Sequence, residues 1–227
     1  MLIRELLLET TNEDRALSSL TTALYQVTRR YAATHPNGGL LGKIENLVDT
    51  PLIALNTVSI RLLPNQLFYA ALNGSDTSAE DTGVMGFWDP SEETVVLNME
   101  YVSDPRWNKT IAHELRHALD DVKSGYNVAD DSGYVNHPKG ELHAPHEINA
   151  RYMAGMHAAL LKIQRMRNEG ATEQDVRSKL PSIVGHALDA NNITRVMPDR
   201  YNNPAYKRLA SRAYQLLSTE VDHLYRQ

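Results

Sequence analysis

Leu17, Leu20, Leu24, Val27 and Tyr31 fall at helical spacing and predict a helix over residues 12–34, which the stretch HPNGG at 35–39 ends. A second, shorter helix is expected over 40–49. The period then changes. Residues 57–64 (TVSIRLLP) alternate apolar and polar positions. Residues 66–74 (QLFYAALNG), 83–90 (GVMGFWDP) and 94–99 (TVVLNM) continue the pattern as short strands of a small sheet. DPSEE, at 89–93, is a hairpin turn between the last two, and 73–83 is a polar loop.

Beyond residue 104 the period is again helical. Asp104 is suited to cap a helix with Pro105 at its first position, running to about Lys123, where Ser124 and Gly125 end it. Residues 125–143 have turn composition. Another helix is expected from near Pro145 to about Asn168, with Gly170 beyond its end. Residues 172–227 hold two or three more helices around the loop VMPDRYNNP. Elements segregated in this way along the chain predict an α+β fold. It has a small mixed sheet, then an active-site helix and a mostly helical C-terminal half. The expected divisions are an N-terminal helical segment (1–56), a core (57–168) and a helical C-terminal extension (169–227).

Composition narrows the chemistry. The chain has 227 residues, 42% hydrophobic and 22% charged, as in an ordinary globular protein. A net charge of -5 gives no reason to expect nucleic acid as a partner. With no cysteine, disulfides, thiolate metal sites and cysteine nucleophiles are excluded, so a transition-metal site must use His, Asp and Glu. The N-terminus lacks the form of a signal peptide, since Arg4 and Glu5 break its apolar run, and no run is long enough to span a membrane. A cytoplasmic location fits, as does delivery without a classical signal, in a secreted effector or a particle. The sequons at Asn73, Asn108 and Asn192 then carry no weight.

The segment TIAHELRHALDD (110–121) carries the candidate chemistry. Residues i and i+4 of a helix share a face, so His113 and His117 can both reach one zinc ion. Glu114 lies about 100° round the helix from His113 and is the candidate general base toward a water at that ion. The remaining faces carry Ile111, Leu115, Ala118, Leu119 and Val122, which predicts a buried helix. A helix with two hydrogen-bonded core histidines is the plainer reading of the same string. A third ligand decides between them. Glu147 opens the next helix, and Ala150, Ala154 and Ala158 follow on its own face, which lets two helices approach closely. Glu141, His143 and His146 compete for the same role. Asp120, one turn after His117, is the candidate acceptor for the other ring N–H of that histidine. His137, His157, His186 and His223 carry no functional expectation.

HELRHALDD, with Glu147 downstream, resembles the zincin metallopeptidases whose third ligand is a glutamate, the thermolysin and neprilysin group. Glu147, Ala150, Met153 and Ala154, and the upstream order GFWD, turn, TVVLN, IAHELRHAL, are closer to the ImmA/IrrE-type peptidases. The resemblance spans about residues 83–160 and departs from neprilysin-like enzymes at Arg151, where those have an aspartate. It implies a zincin-like fold and a zinc-dependent endopeptidase. His113, His117 and Glu147 would hold one zinc ion, and Glu114 would act as general base on the attacking water. An edge strand would bind the substrate by strand addition. Tyr134, His143 and His146 are candidate donors to the oxyanion, and His137 shares that loop. The partner so implied is a protein or peptide substrate. The alternative is a structural or partner-binding protein on the same scaffold with little turnover, its protein partner docking on the C-terminal helices.

Overall fold

Each element forms where one face finds cover. The computed structural model describes residues 3–72, 83–124, 145–191, 193–197 and 202–226. The first helix, α1, spans Ile3–Thr34, longer at its start than periodicity indicates, and buries Leu17, Leu20 and Leu24. The expected helix over 40–49 is instead strand β1 (Gly39–Lys43) followed by a single turn, α2 (Ile44–Leu47). Glycine accounts for the difference. Gly38 has φ +65°, and a Cβ there would lie 2.4 Å from the Leu62 carbonyl oxygen. The chain can therefore turn tightly against β2 (Ser59–Leu63) and pair with it antiparallel, with a register shift between Leu40 and Gly42.

The second difference is at 66–74. Residues Asn65–Leu72 form a helix, α3, not a strand. Pro64 precedes it, its carbonyl accepting from the Phe68 N–H, and the Asn98 side-chain amide donates to Asn65 Oδ1 at 2.7 Å. Phe68, Tyr69 and Leu72 share one helical face, which covers Val96 and Phe87. Strands β3 (Gly86–Asp89) and β4 (Thr94–Asn98) form the expected hairpin. The sheet order is β1-β2-β4-β3, with β2 and β4 parallel. β4 is buried throughout, and its side chains alternate between two layers. Val95 and Leu97 enter the main core, while Val96 packs under α3.

Helix α4 (Trp107–Ser124) lies against β3 and β4. It begins a little later than Asp104, whose carboxylate takes the Arg106 backbone N–H in the turn before it. Trp107, Ile111, Leu115, Ala118 and Leu119 are buried, as the sequence predicts. Helix α5 (Pro145–Asn168) packs on α4, and Gly170 follows it with φ +88°. Ala150 and Ala154 are buried on the expected side. Helices α6 (Glu173–Asp189), α7 (Ile193–Val196) and α8 (Pro204–Tyr225) complete the helical half. The fold is thus α+β, and one hydrophobic core runs from Leu17 of α1 through the sheet and α4 to Val221 of α8. Among the described residues, no helix is long and apolar enough to cross a membrane.

Candidate metal centre

The position of α4 is set from below by the sheet. Gly86 of β3 meets it: a Cβ at Gly86 would lie 2.9 Å from both Leu97 Cδ2 and Thr110 Cγ2, and 3.3 Å from Glu114 Cγ. Only a bare backbone lets the helix settle this close. The Trp88 indole then donates to Asp121 Oδ2 at 2.9 Å, fastening β3 to the far end of α4. The Trp88 backbone N–H reaches the Glu114 carboxylate.

From that helix His113 and His117 project toward α5. Their Nε2 atoms are 3.1 Å apart. Glu147, in the first turn of α5, brings Oε1 to 3.2 Å from His117 Nε2 and Oε2 to 3.7 Å from His113 Nε2. A tetrahedral ion with bonds of about 2.0–2.1 Å separates its ligand atoms by roughly 3.3 Å. These spacings match that edge length, and the three residues can hold a metal ion. Glu147 is the third member, as the alanine strip suggests.

Electrostatics favour the ligating forms of His113 and Glu147. Burial, with the neighbouring charge of His117, pulls the His113 pKa down to about 3, so its imidazole is neutral. Its ring is also held by a hydrogen bond to the Ala150 backbone, which fixes orientation. Burial opposes ionisation of Glu147. The hydrogen bond with His117 and the charges of His113, His117 and Arg151 outweigh it and hold the pKa down to about 2. Burial likewise opposes charge on His117, but Glu147, Glu114 and Asp120 outweigh it and raise its pKa. Glu114 points the other way. Burial raises it to about 7, against the pull of His117 and the Trp88 N–H. A carboxyl poised near neutrality suits proton transfer.

Asp120 does not take the second ring N–H of His117. Arg116 Nη2 binds its Oδ1 at 2.5 Å, so the aspartate joins the ion network that Arg116 makes with α1, and its charge helps raise the His117 pKa. His146 stands beside His117, with ring centroids 5.7 Å apart. Tyr134, His137, Glu141 and His143 lie outside the described residues. Three contributors go unsignalled in the sequence reading. Trp88 and Gly86 act from β3, and the segment GFWD was their only trace. Arg151 Nε is 3.4 Å from Glu147 Oε2, one helical turn on.

The centre opens into a cleft of about 480 Å³. Its walls come from Gly83–Gly86 beside the sheet edge, Lys109 to Glu114 of α4, Glu147 to Ala154 of α5, and Ala190 and Asn191 after α6. Comparison of the chain with known protein families, with characterised proteins and with solved structures finds no match.

Proposed function

We propose that this chain is a zinc-dependent endopeptidase. The observation that carries the reading is the convergence of His113, His117 and Glu147 on one point while the half-ionisable Glu114 faces the same cleft. Two imidazoles and a carboxylate, with no thiolate, are the ligand set of catalytic zinc in several hydrolases. When bound, the ion would polarise a carbonyl and make water acidic enough to lose a proton near neutral pH. Glu114 would take a proton from the attacking water and pass it to the departing amine. Burial keeps Glu114 basic enough for the first transfer, and its backbone bond from Trp88 keeps it aimed. His113 is already neutral, and His117 would give up its proton to serve as the second ligand. Arg151 steadies Glu147 by their ion pair. β3, an edge strand among the described residues, stands beside the cleft and supplies backbone groups that can pair with an extended substrate.

The test is elemental analysis of the purified protein, then hydrolysis of an unfolded protein such as reduced casein. About one zinc per chain is expected, lost in His117→Ala, and Glu114→Gln should keep zinc while hydrolysis falls by about 10²–10⁴-fold. Bound zinc with no hydrolysis by the wild type would replace this reading with a metal-stabilised partner-binding protein. No zinc at all would leave a helix with two core histidines.

A further inference from the structure

The cleft gathers three cations beside Glu114 and Glu147. The chain has a net charge of -5, yet Arg106, Lys109 and Arg151 all line the cleft. Two of these cations are already engaged. Arg106 forks onto Asp104 through Nε and Nη2 at 3.0 and 2.9 Å, and Arg151 pairs with Glu147. Among the described residues, no carboxylate lies within ion-pairing distance of Lys109. Asp104 and Glu147 do not turn toward it, and Glu114 and Glu147 are committed to the centre.

Position gives this free cation a use. Lys109, His113 and His117 follow one another at four-residue steps, so Lys109 stands one turn from the candidate ligands on the same face. That is about 6 Å along the helix axis. It also sits where the cleft meets a second cavity of about 160 Å³, lined by small residues of α5 and α6 such as Gly155, Ala158 and Ala187. The two cavities share Lys109, Ala190 and Asn191, so the ammonium has room on both sides. An extended peptide advances about 3.3 Å per residue. A substrate lying along the cleft would bring a group two or three residues from the reacting bond to Lys109.

We propose that Lys109 is a specificity-determining residue that selects a substrate carboxylate within about three residues of the bond to be cut. The carboxylate comes from a Glu or Asp side chain or from the end of the peptide. The inference rests on the endopeptidase reading for its substrate, and it deepens that reading by naming the substrate's charge. Little competes for the ammonium, so the pairing is made only when substrate arrives. Field lines confined by the cleft walls would also draw acidic segments in.

The test reads binding, so it does not depend on turnover. Full-length Glu114→Gln protein, loaded with zinc, is immobilised and offered three pools of degenerate hexapeptides. The first has blocked ends and a fixed central Glu. The second is the same with Gln. The third has a free C-terminus and no acidic residue. Mass spectrometry of the retained peptides gives the preference. The Glu pool, the free-terminus pool, or both should exceed the Gln pool by on the order of tenfold, and added salt should reduce the excess. Which pool exceeds identifies the source of the carboxylate. Adding Lys109→Gln should abolish the excess, and Lys109→Glu should turn it toward a further pool with blocked ends and a fixed central Lys. A structural effect of residue 109 would not reverse the sign. Equal retention of all pools, or an excess untouched by both substitutions, overturns the proposal. Casein hydrolysis by the otherwise wild-type protein, run in parallel, separates the two readings. A carboxylate preference without hydrolysis removes the peptidase reading alone, and hydrolysis without a preference removes this one alone.

Discussion

On the back of α4, Arg116 reaches Glu13 at 3.1 Å, Asp120 at 2.5 Å and Asp14 at 3.7 Å, and Lys123 also binds Glu13. Asp14 takes a two-pronged bond from Arg212 of α8 at 2.9 and 2.6 Å, and the guanidinium lies 4.7 Å over the Tyr152 ring. On the front, His113, His117 and Glu147 bring their ligating atoms together around one point, with Arg151 paired to Glu147 at its margin. The helix is the same and the charge density is similar. Behind it, acids and cations alternate until they neutralise, and the result is a fastening of α1, α4 and α8. In front, three groups able to ligate converge on one point, an arrangement that suits a shared cation. Complementarity spread through a cluster marks structure; ligating atoms gathered on a shared focus mark a site.

If that distinction is right, cutting the back should cost stability and spare metal binding. Asp14 is fully buried, and burial raises its pKa against the pull of Arg212 and Arg116. Asp14→Ala leaves both guanidiniums without their shared partner and should lose about 3–5 kcal/mol in denaturant melts. The folded fraction should still take up zinc to the wild-type stoichiometry. Lost zinc affinity in the folded state would mean that the two faces act as one unit.

A third place separates burial from both. His157 on α5 is buried, with Nδ1 2.8 Å from Ser18 Oγ of α1. Burial drops its pKa from 6.5 to about 4. The unfolded chain therefore binds a proton between these values that the folded chain refuses. Stability from this site is full above pH 6.5 and declines as pH falls toward 4. The loss should reach about 3 kcal/mol. Melts at pH 7, 5.5 and 4.5 should show that decline in the wild type and a shallower one in His157→Gln. Parallel declines would show that other groups dominate.

Cutting the front should do the reverse. Glu147→Ala removes one ligand of the three and should weaken zinc binding by more than about 100-fold, since even outer contacts of a metal site are worth about 10–100-fold. Competition with a chromogenic chelator measures this. Thermal stability of the metal-free protein should fall by less than in Asp14→Ala, because the losses are the bonds of Glu147 to His117 and Arg151 and no helix-joining network. Wild-type zinc affinity would move the third ligand elsewhere on the chain.

The front face was the more legible in sequence. Helical periodicity alone puts His113 and His117 on one face, and the small residues at 150, 154 and 158 mark which carboxylate a neighbouring helix can bring close. Asp120 departs from its expected role because Arg116, one turn back and itself held by Glu13 and Asp14 of α1, takes its Oδ1. A single helix cannot display that hold. The strand expected at 66–74 failed for a related reason. A short apolar run fits either period, and only the shape of the sheet face it must cover selects helix. β1 failed locally, because Gly38 supplies a backbone turn that no apolar pattern records.

The smallest effect tests what joins the two faces to the sheet. Gly86 allows α4 to rest on β3, with Thr110 Cγ2 and Glu114 Cγ above it. Gly86→Ala would force its methyl between these groups and should cost about 1–2 kcal/mol by overpacking. The displacement falls on Glu114 more than on the ligands, because His113 and His117 point away toward α5. Zinc affinity should then hold while kcat for peptide hydrolysis falls and KM stays near the wild-type value. Thr110→Ser removes the opposing methyl and should restore part of both losses. The coupling between the two substitutions, measured as a double-mutant cycle, isolates the contact from the general effect of a bulkier strand. Independent effects, or a loss of zinc before any loss of kcat, would show that β3 carries the whole centre rather than aiming Glu114 alone.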